Sequence, residues 1–232
     1  MSRKSQEDQK SEKGMRNRKE CMNLSNLEAS LGEATKKFDE IVSRREKLIK
    51  ESRDVIGLSA KAIVSVHTSN FSEAKRLKAE ARAKLDELQK VAGSDLTKHL
   101  QTPEQEYVEC SLLLAVRSDL RIPSRKQLGV SHLSFILGLL DAIGELKRSV
   151  YDSIRENNFD NARNFFNCME ELYLLLSPFA VYDNVAPGVK RKLDVGRALI
   201  EDTRATITEE ARRRDFIQAV NKLSERLGEG HS

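Results

Sequence analysis

Between Gln105 and Val116 the chain reads QEYVECSLLLAV, and its only formal charges there are Glu106 and Glu109. Between His132 and Leu146 it reads HLSFILGLLDAIGEL, where the only formal charges are Asp141 and Glu145. Both stretches have helical character, and spacings of three and four place each pair on one helix face. Like charges so placed each destabilise a helix by a few tenths of a kcal/mol, and packing them against another helix adds a desolvation cost. A hard divalent cation would offset that cost. Mg²⁺ or Mn²⁺ prefers carboxylate oxygen, and beside a phosphodiester it acidifies a bound water and neutralises developing charge. Two blander origins stay open. Asp141 and Glu145 lie opposite the stripe of Ile136, Leu139, Leu140, Ile143 and Val150, as the wet face of an amphipathic helix would. Salt bridges across helices also gather carboxylates.

The elements that must position these acids are helices. Of 232 residues, 33% are Asp, Glu, Lys or Arg, 5% are aromatic, and there are only 4 Pro and 11 Gly, which excludes an all-β fold. Residues 1–22 are charged and aperiodic and are expected to form a flexible arm. From residue 23 to 232 a single helical domain is expected. Phe38, Ile41, Val42, Leu48, Ile49, Val55, Ile56 and Ile63 form the seam of a long first helix. Ser72 is a candidate N-cap for the second, whose inner face is Ala74, Leu77, Ala81, Leu85 and Leu88 and whose stop is Gly93. Pro103 opens a third helix, and Ser124 caps a short one ending at Gly129. Long helices follow over about 131–157, from the Asn158 to Asn161 turn to about Pro178, and over about 189–227. Six or seven helices with short connections make an all-α antiparallel bundle.

No run reaches the roughly 18 apolar residues that a membrane-spanning helix needs, and no apolar segment follows the charged N-terminus as in a secretory signal. A cytoplasmic protein is expected. Cys21, Cys110 and Cys168 suggest neither a disulfide framework nor a zinc knuckle. The net charge is +4, most of it in the first twenty residues, so contact with nucleic acid would need local clustering. Lys75, Lys78 and Arg82 share a stripe of the second helix and could track phosphates, or could pair with Glu73, Glu80 and Asp86. Arg148, one turn from Glu145, can fork onto a phosphate. Tyr107 could stack on a base, though its spacing also suits the core. His67, His99, His132 and His231 show no ligand spacing, and none is assigned to catalysis.

Gln105-Glu106-Tyr107-Val108-Glu109 and the run from Leu137-Gly138 to Asp141-Ala142-Ile143-Gly144-Glu145-Leu146-Lys147-Arg148 resemble the two acidic motif helices of the translin family. Within it they are similar to the translin-associated factor X branch. That resemblance implies a seven-helix bundle assembling into a hollow, octamer-like homo-oligomer, with a translin-type subunit as a further partner. It implies a Mg²⁺-dependent endoribonuclease acting on RNA, and also on single-stranded DNA. Glu106, Glu109, Asp141 and Glu145 carry over as the catalytic set, with Glu109, Glu145 and Asp141 as metal ligands. Cys110 and Ala142 depart from the motifs without touching the acids. A non-catalytic RNA- or DNA-binding scaffold of translin type is the main alternative. A helical nucleotide pyrophosphohydrolase matches the acid spacing less well.

Overall fold

A computed structural model describes residues 24–229, so the expected N-terminal arm and Cys21 lie outside the described residues. Seven helices follow in order: α1 (Ser25–His67), α2 (Phe71–Ala92), α3 (Gln101–Arg117), α4 (Arg125–Leu128), α5 (His132–Arg155), α6 (Phe159–Leu176) and α7 (Val189–Glu229). Single 3-10 segments at Thr97–Leu100 and Ser177–Tyr182 precede α3 and follow α6. Among the described residues there is no strand, and none of their helices is long and apolar enough to cross a membrane. The fold is an all-α bundle, as expected.

The chain divides into two compact units, one ending at Lys47 and one beginning at Leu48, with α1 contributing to both. In the first, Leu27, Leu31, Phe38 and Val42 are exposed, and Lys37 and Arg44 both reach Glu40, at 3.1 and 3.6 Å. The expected α1 seam is buried only in the second unit, at Leu48, Val55 and Ile63.

Local chemistry sets the ends of the helices. Ser69, in the left-handed region at φ 57°, turns the chain out of α1. The cap of α2 is Asn70 and not Ser72: the Asn70 side chain accepts from the Glu73 amide at 3.3 Å, while the Ser72 hydroxyl merely donates to Asn70. An amide side chain two residues upstream does the capping as well as a serine would. Gly93 ends α2 at φ 57°, as expected. The 3-10 turn feeds directly into α3, so Pro103 sits within its first turn and does not open it. Ser124 and Gln127 form a reciprocal capping box, and Gly129 closes α4 in the left-handed region. Asn158 caps α6 by accepting from the Asn161 amide, so the turn is 156–158, one step earlier than the sequence suggests.

Helix α5 lies at the centre of the second unit and packs on α3, α6 and α7. Leu137, Ile143, Leu146 and Val150 are buried there against Val108, Leu112 and Leu113 of α3 and Met169 of α6 as parts of one core, each contributing roughly 1.5–3 kcal/mol. A stripe of small residues, Ser134, Gly138, Ala142, Ser149 and Ser153, is buried along the same helix and lets its neighbours come close. The closest approach is at Gly138. A Cβ there would stand 2.6 Å from the Gln105 carbonyl oxygen and 2.7 Å from the Val108 Cβ, both on α3. Gly144, on the same helix, has nothing within 4 Å of such a Cβ.

These two glycines should therefore respond oppositely. Gly138→Ala forces α3 and α5 apart and is expected to lower unfolding free energy by about 1–3 kcal/mol. Gly144→Ala is expected to raise it by about 0.5–1 kcal/mol through helix propensity alone. Denaturant titrations of the two variants compare them directly, and a Gly138→Ala protein as stable as the parent would refute the tight contact.

Candidate active site between two helices

The contact at Gly138 brings Gln105 and Val108 of α3 against α5, and the four acids lie immediately beside it. Glu106 and Glu109 flank Val108 on α3. Asp141 and Glu145 follow Gly138 by three and seven residues on α5, one and two turns on. All four are half-buried.

Their charges act on one another. The Glu109 carboxyl is pushed up to about 8, first by burial and then by Glu106, Asp141 and Glu145, with Lys192 opposing. Glu106 is likewise raised, by burial and then by Asp141, with Lys192 opposing and Glu145 adding a little. Neither Glu106 nor Glu109 has a hydrogen bond or ion pair from the described residues. The pairs on α3 and α5 thus converge within electrostatic reach, and the α3 pair is opposed by Lys192 only at a distance, without an ion pair of its own among the described residues.

The α5 pair is answered by bases from distant helices. Lys192 of α7 donates to both carboxylate oxygens of Asp141, and at 3.2 Å to the Gln105 side-chain oxygen. His67, the last residue of α1, places Nε2 2.6 Å from Glu145 Oε2 with only 3% of its side chain exposed. Its Nδ1 stands 3.4 Å from Asp152 Oδ2. The hydrogen bond from His67 holds the Glu145 carboxyl below the usual carboxylate range against the opposing effect of burial, helped by the His67 charge and by Arg148 at 3.9 Å. Among the described residues, no three His, Cys, Asp or Glu side chains are grouped at metal-holding spacing.

His67 and Lys192 are the residues that sequence reasoning missed. They stand 78 and 51 residues from their acids, and neither lies in a motif. A lone histidine at a helix end and one lysine in Lys190-Arg191-Lys192 carry no spacing signal. Glu104 was overlooked as well. It is only 4% exposed, accepts from the Gln89 side chain and from the Ser131 amide, each at 3.0 Å, and so ties α2, α3 and the start of α5 together.

The candidate nucleic-acid contacts divide by what holds them. Arg148 is exposed and only loosely paired with Glu145. Arg82 is fixed: it donates to the Leu128 carbonyl that ends α4, to Asp86, and to Gln89 at 2.9 Å. Glu73 and Glu80 pair with Arg76, leaving Lys75 and Lys78 without an ion pair among the described residues. Tyr107 is buried, with the Arg82 guanidinium 5.5 Å and the Lys78 ammonium 6.0 Å from its ring centre.

The donor set is all oxygen, which suits a hard cation. Glu106 and Glu109 are carboxyls held above the ordinary range, whose ionisation such an ion would favour, while Asp141 and Glu145 would have to share theirs with Lys192 and His67.

No family model matches the chain. It is 34% identical over 188 residues to the uncharacterized protein MJ0175 of Methanocaldococcus jannaschii, spanning 80% of this chain and 81% of that protein. Among solved structures, the crystal structure of AfC3PO superposes with a TM-score of 0.73 at 27% identity, covering 79% of this chain and 98% of the other. A complex of AfC3PO with duplex RNA gives 0.71 at 26% identity, covering 79% and 97%. The fold is shared also with apo-NeC3PO, at a TM-score of 0.68 and 23% identity over 77% and 95%. With its seven-helix order and these likenesses, the chain is a structural neighbour of the C3PO proteins of the translin family.

Proposed function

We propose that this protein is a metal-dependent endoribonuclease, of the factor X type within the translin family, whose active site is the cluster of Glu106, Glu109, Asp141 and Glu145. The observation that carries it is Glu109. A carboxyl pushed up to about 8, first by burial and then by three neighbouring acids, is a group waiting for positive charge. Structural ion pairing leaves no such deficit. The AfC3PO structure with duplex RNA supports RNA as the substrate class, with single-stranded DNA as a second. The subunits assemble as a hollow, octamer-like homo-oligomer, with a translin-type subunit as a further partner.

A Mg²⁺ or Mn²⁺ ion held by Glu109, Asp141 and Glu145 would supply an acidified water and charge neutralisation at the phosphate. The other roles belong to the chain. Glu106 orients the attacking water. His67 fixes the rotamer of Glu145 from behind, and its burial makes that support rigid. Lys192, between Asp141 and Gln105, is placed to take up charge on a phosphate oxygen, and Arg148 grips the strand at the exposed edge.

A specific observation favours the translin-type scaffold as a second reading: Asp141 and Glu145 already have partners, and no three-ligand group is formed among the described residues. Binding without cleavage is its signature.

Labelled RNA incubated with Mg²⁺ or with EDTA separates the two. Cleavage is expected only with the ion, and Glu109→Gln and Glu145→Gln are each expected to slow it about 100-fold or more while RNA binding persists. Equal cutting by both variants would end the catalytic assignment, and nucleoside triphosphates run in parallel test for pyrophosphohydrolysis.

Stability offers a readout independent of turnover. Glu109 titrates higher in the fold than in the unfolded chain, so the folded state binds the extra proton between about pH 4.5 and 8. Metal-free protein should therefore lose stability as pH rises through that window, by up to roughly 1.4 kcal/mol per unit. Glu109→Gln should flatten the slope, and Mg²⁺ or Mn²⁺ should restore more stability at pH 8 than at pH 5.5. Melting curves at both pH values decide it. A parallel slope in the variant would show that Glu109 is not the group responsible.

A further inference from the structure

On α3, Tyr107, Ser111 and Leu114 face away from Glu106 and Glu109 by about 140° around the helix axis. There they line a cleft of about 430 Å³ together with α2 and the segment after α3. Its floor is apolar, with Leu114, Ala115 and Pro123, and its rim carries Lys75, Lys78 and Arg121. No carboxylate lines it. Ser111 is 1% exposed, with its hydroxyl turned to Tyr107 beneath the cleft.

We propose that this cleft is a binding site for one nucleotide, taking an unstacked base onto the floor and its phosphate onto the rim. Each part of the lining answers one part of that ligand. The apolar floor and the edge of Tyr107 take the flat, weakly polar base. Lys75 and Arg121, both exposed, meet the phosphate. Lys78 is half-buried over the Tyr107 ring, and burial lowers its ammonium below the usual lysine range. An anion beside it would offset that burial. The volume falls within the roughly 300–1,000 Å³ of small-molecule sites, enough for a single nucleotide. Arg82, tied to Leu128, Asp86 and Gln89, keeps α2 in place as one wall. The inference rests on the RNA-binding reading and extends it: a strand on this protein would insert one nucleotide at a site distinct from the acids.

Titration of the full chain with adenosine, cytidine, guanosine and uridine 5′-monophosphates, each followed by calorimetry, tests it. Inorganic phosphate and the nucleosides serve as half-ligand probes. At least one monophosphate is expected to bind at least tenfold more tightly than either half. Ala79→Trp, at an exposed position on the mouth of the cleft, and Lys78→Met should each weaken it at least tenfold with melting temperature unchanged. Phosphate binding as tightly as the nucleotides would overturn the base-holding role. Affinity untouched in both folded variants would overturn the location. RNA binding by a protein that takes no mononucleotide would overturn this inference while leaving the RNA-binding reading intact.

Discussion

The arrangement of the second unit depends on how near α3 and α5 can come, and that distance is set at Gly138. With the Gln105 carbonyl and the Val108 side chain where a Cβ would otherwise be, the two helix backbones are in contact. Side chains at the contact cannot intervene, so those one turn away on either helix are driven towards each other. Glu106, Glu109, Asp141 and Glu145 occupy those flanking positions. The charge cluster follows from a backbone approach permitted by one missing methyl group.

Packing acids at such a place creates a deficit of positive charge, and the fold answers it unevenly. Asp141 receives Lys192 from α7, and Glu145 receives His67 from α1. His67 is buried and Lys192 partly so, and they come from the first and last described helices, so the α5 acids help bind α1 and α7 to the centre. Breaking such a pair by removing one partner leaves an uncompensated charge. Glu106 and Glu109 gain no comparable partner, and the consequence is that both carboxyls are raised above the ordinary range, Glu109 to about 8. One half of the cluster is integrated into the fold's own ion pairing and the other half remains available. That asymmetry supports a site that folds without an ion and still has reason to take one.

What the sequence made legible was local. The capping box at Ser124, the left-handed Gly129, the stop at Gly93 and the pairing of acids along each helix depend on residues within a few positions of one another. Asn70 for Ser72 and the earlier turn at Asn158 are small displacements of the same kind, because several polar side chains near a helix start compete to cap it. Partners of the acids were illegible, since a bundle connects positions 78 and 51 residues apart through helix order and crossing geometry, which no spacing rule contains. The α1 seam shows a related limit. Periodicity is continuous across Lys47, yet its buried positions, Leu48, Val55 and Ile63, all come after it, because periodicity records a face and not what covers it.

Residue type alone also failed to separate structural from available charge. Glu104 and Glu109 lie on one helix five residues apart; the first is saturated by Gln89 and the Ser131 amide, the second by nothing. Arg82 and Lys78 lie on one helix four residues apart and face the same tyrosine. Arg82 has its donors occupied by Leu128, Asp86 and Gln89, while Lys78 has no acid within reach. In both comparisons the occupied member joins secondary elements and the unoccupied one borders open space. Hydrogen-bond saturation therefore sorts these side chains where charge and helix position do not. The α3 helix carries both outcomes on its two sides, an acidic face suited to a cation and a face beside a basic cleft suited to an anion. A single rigid helix can hold two such sites apart because its core positions, Val108, Leu112 and Leu113, are completely buried and anchor it between them.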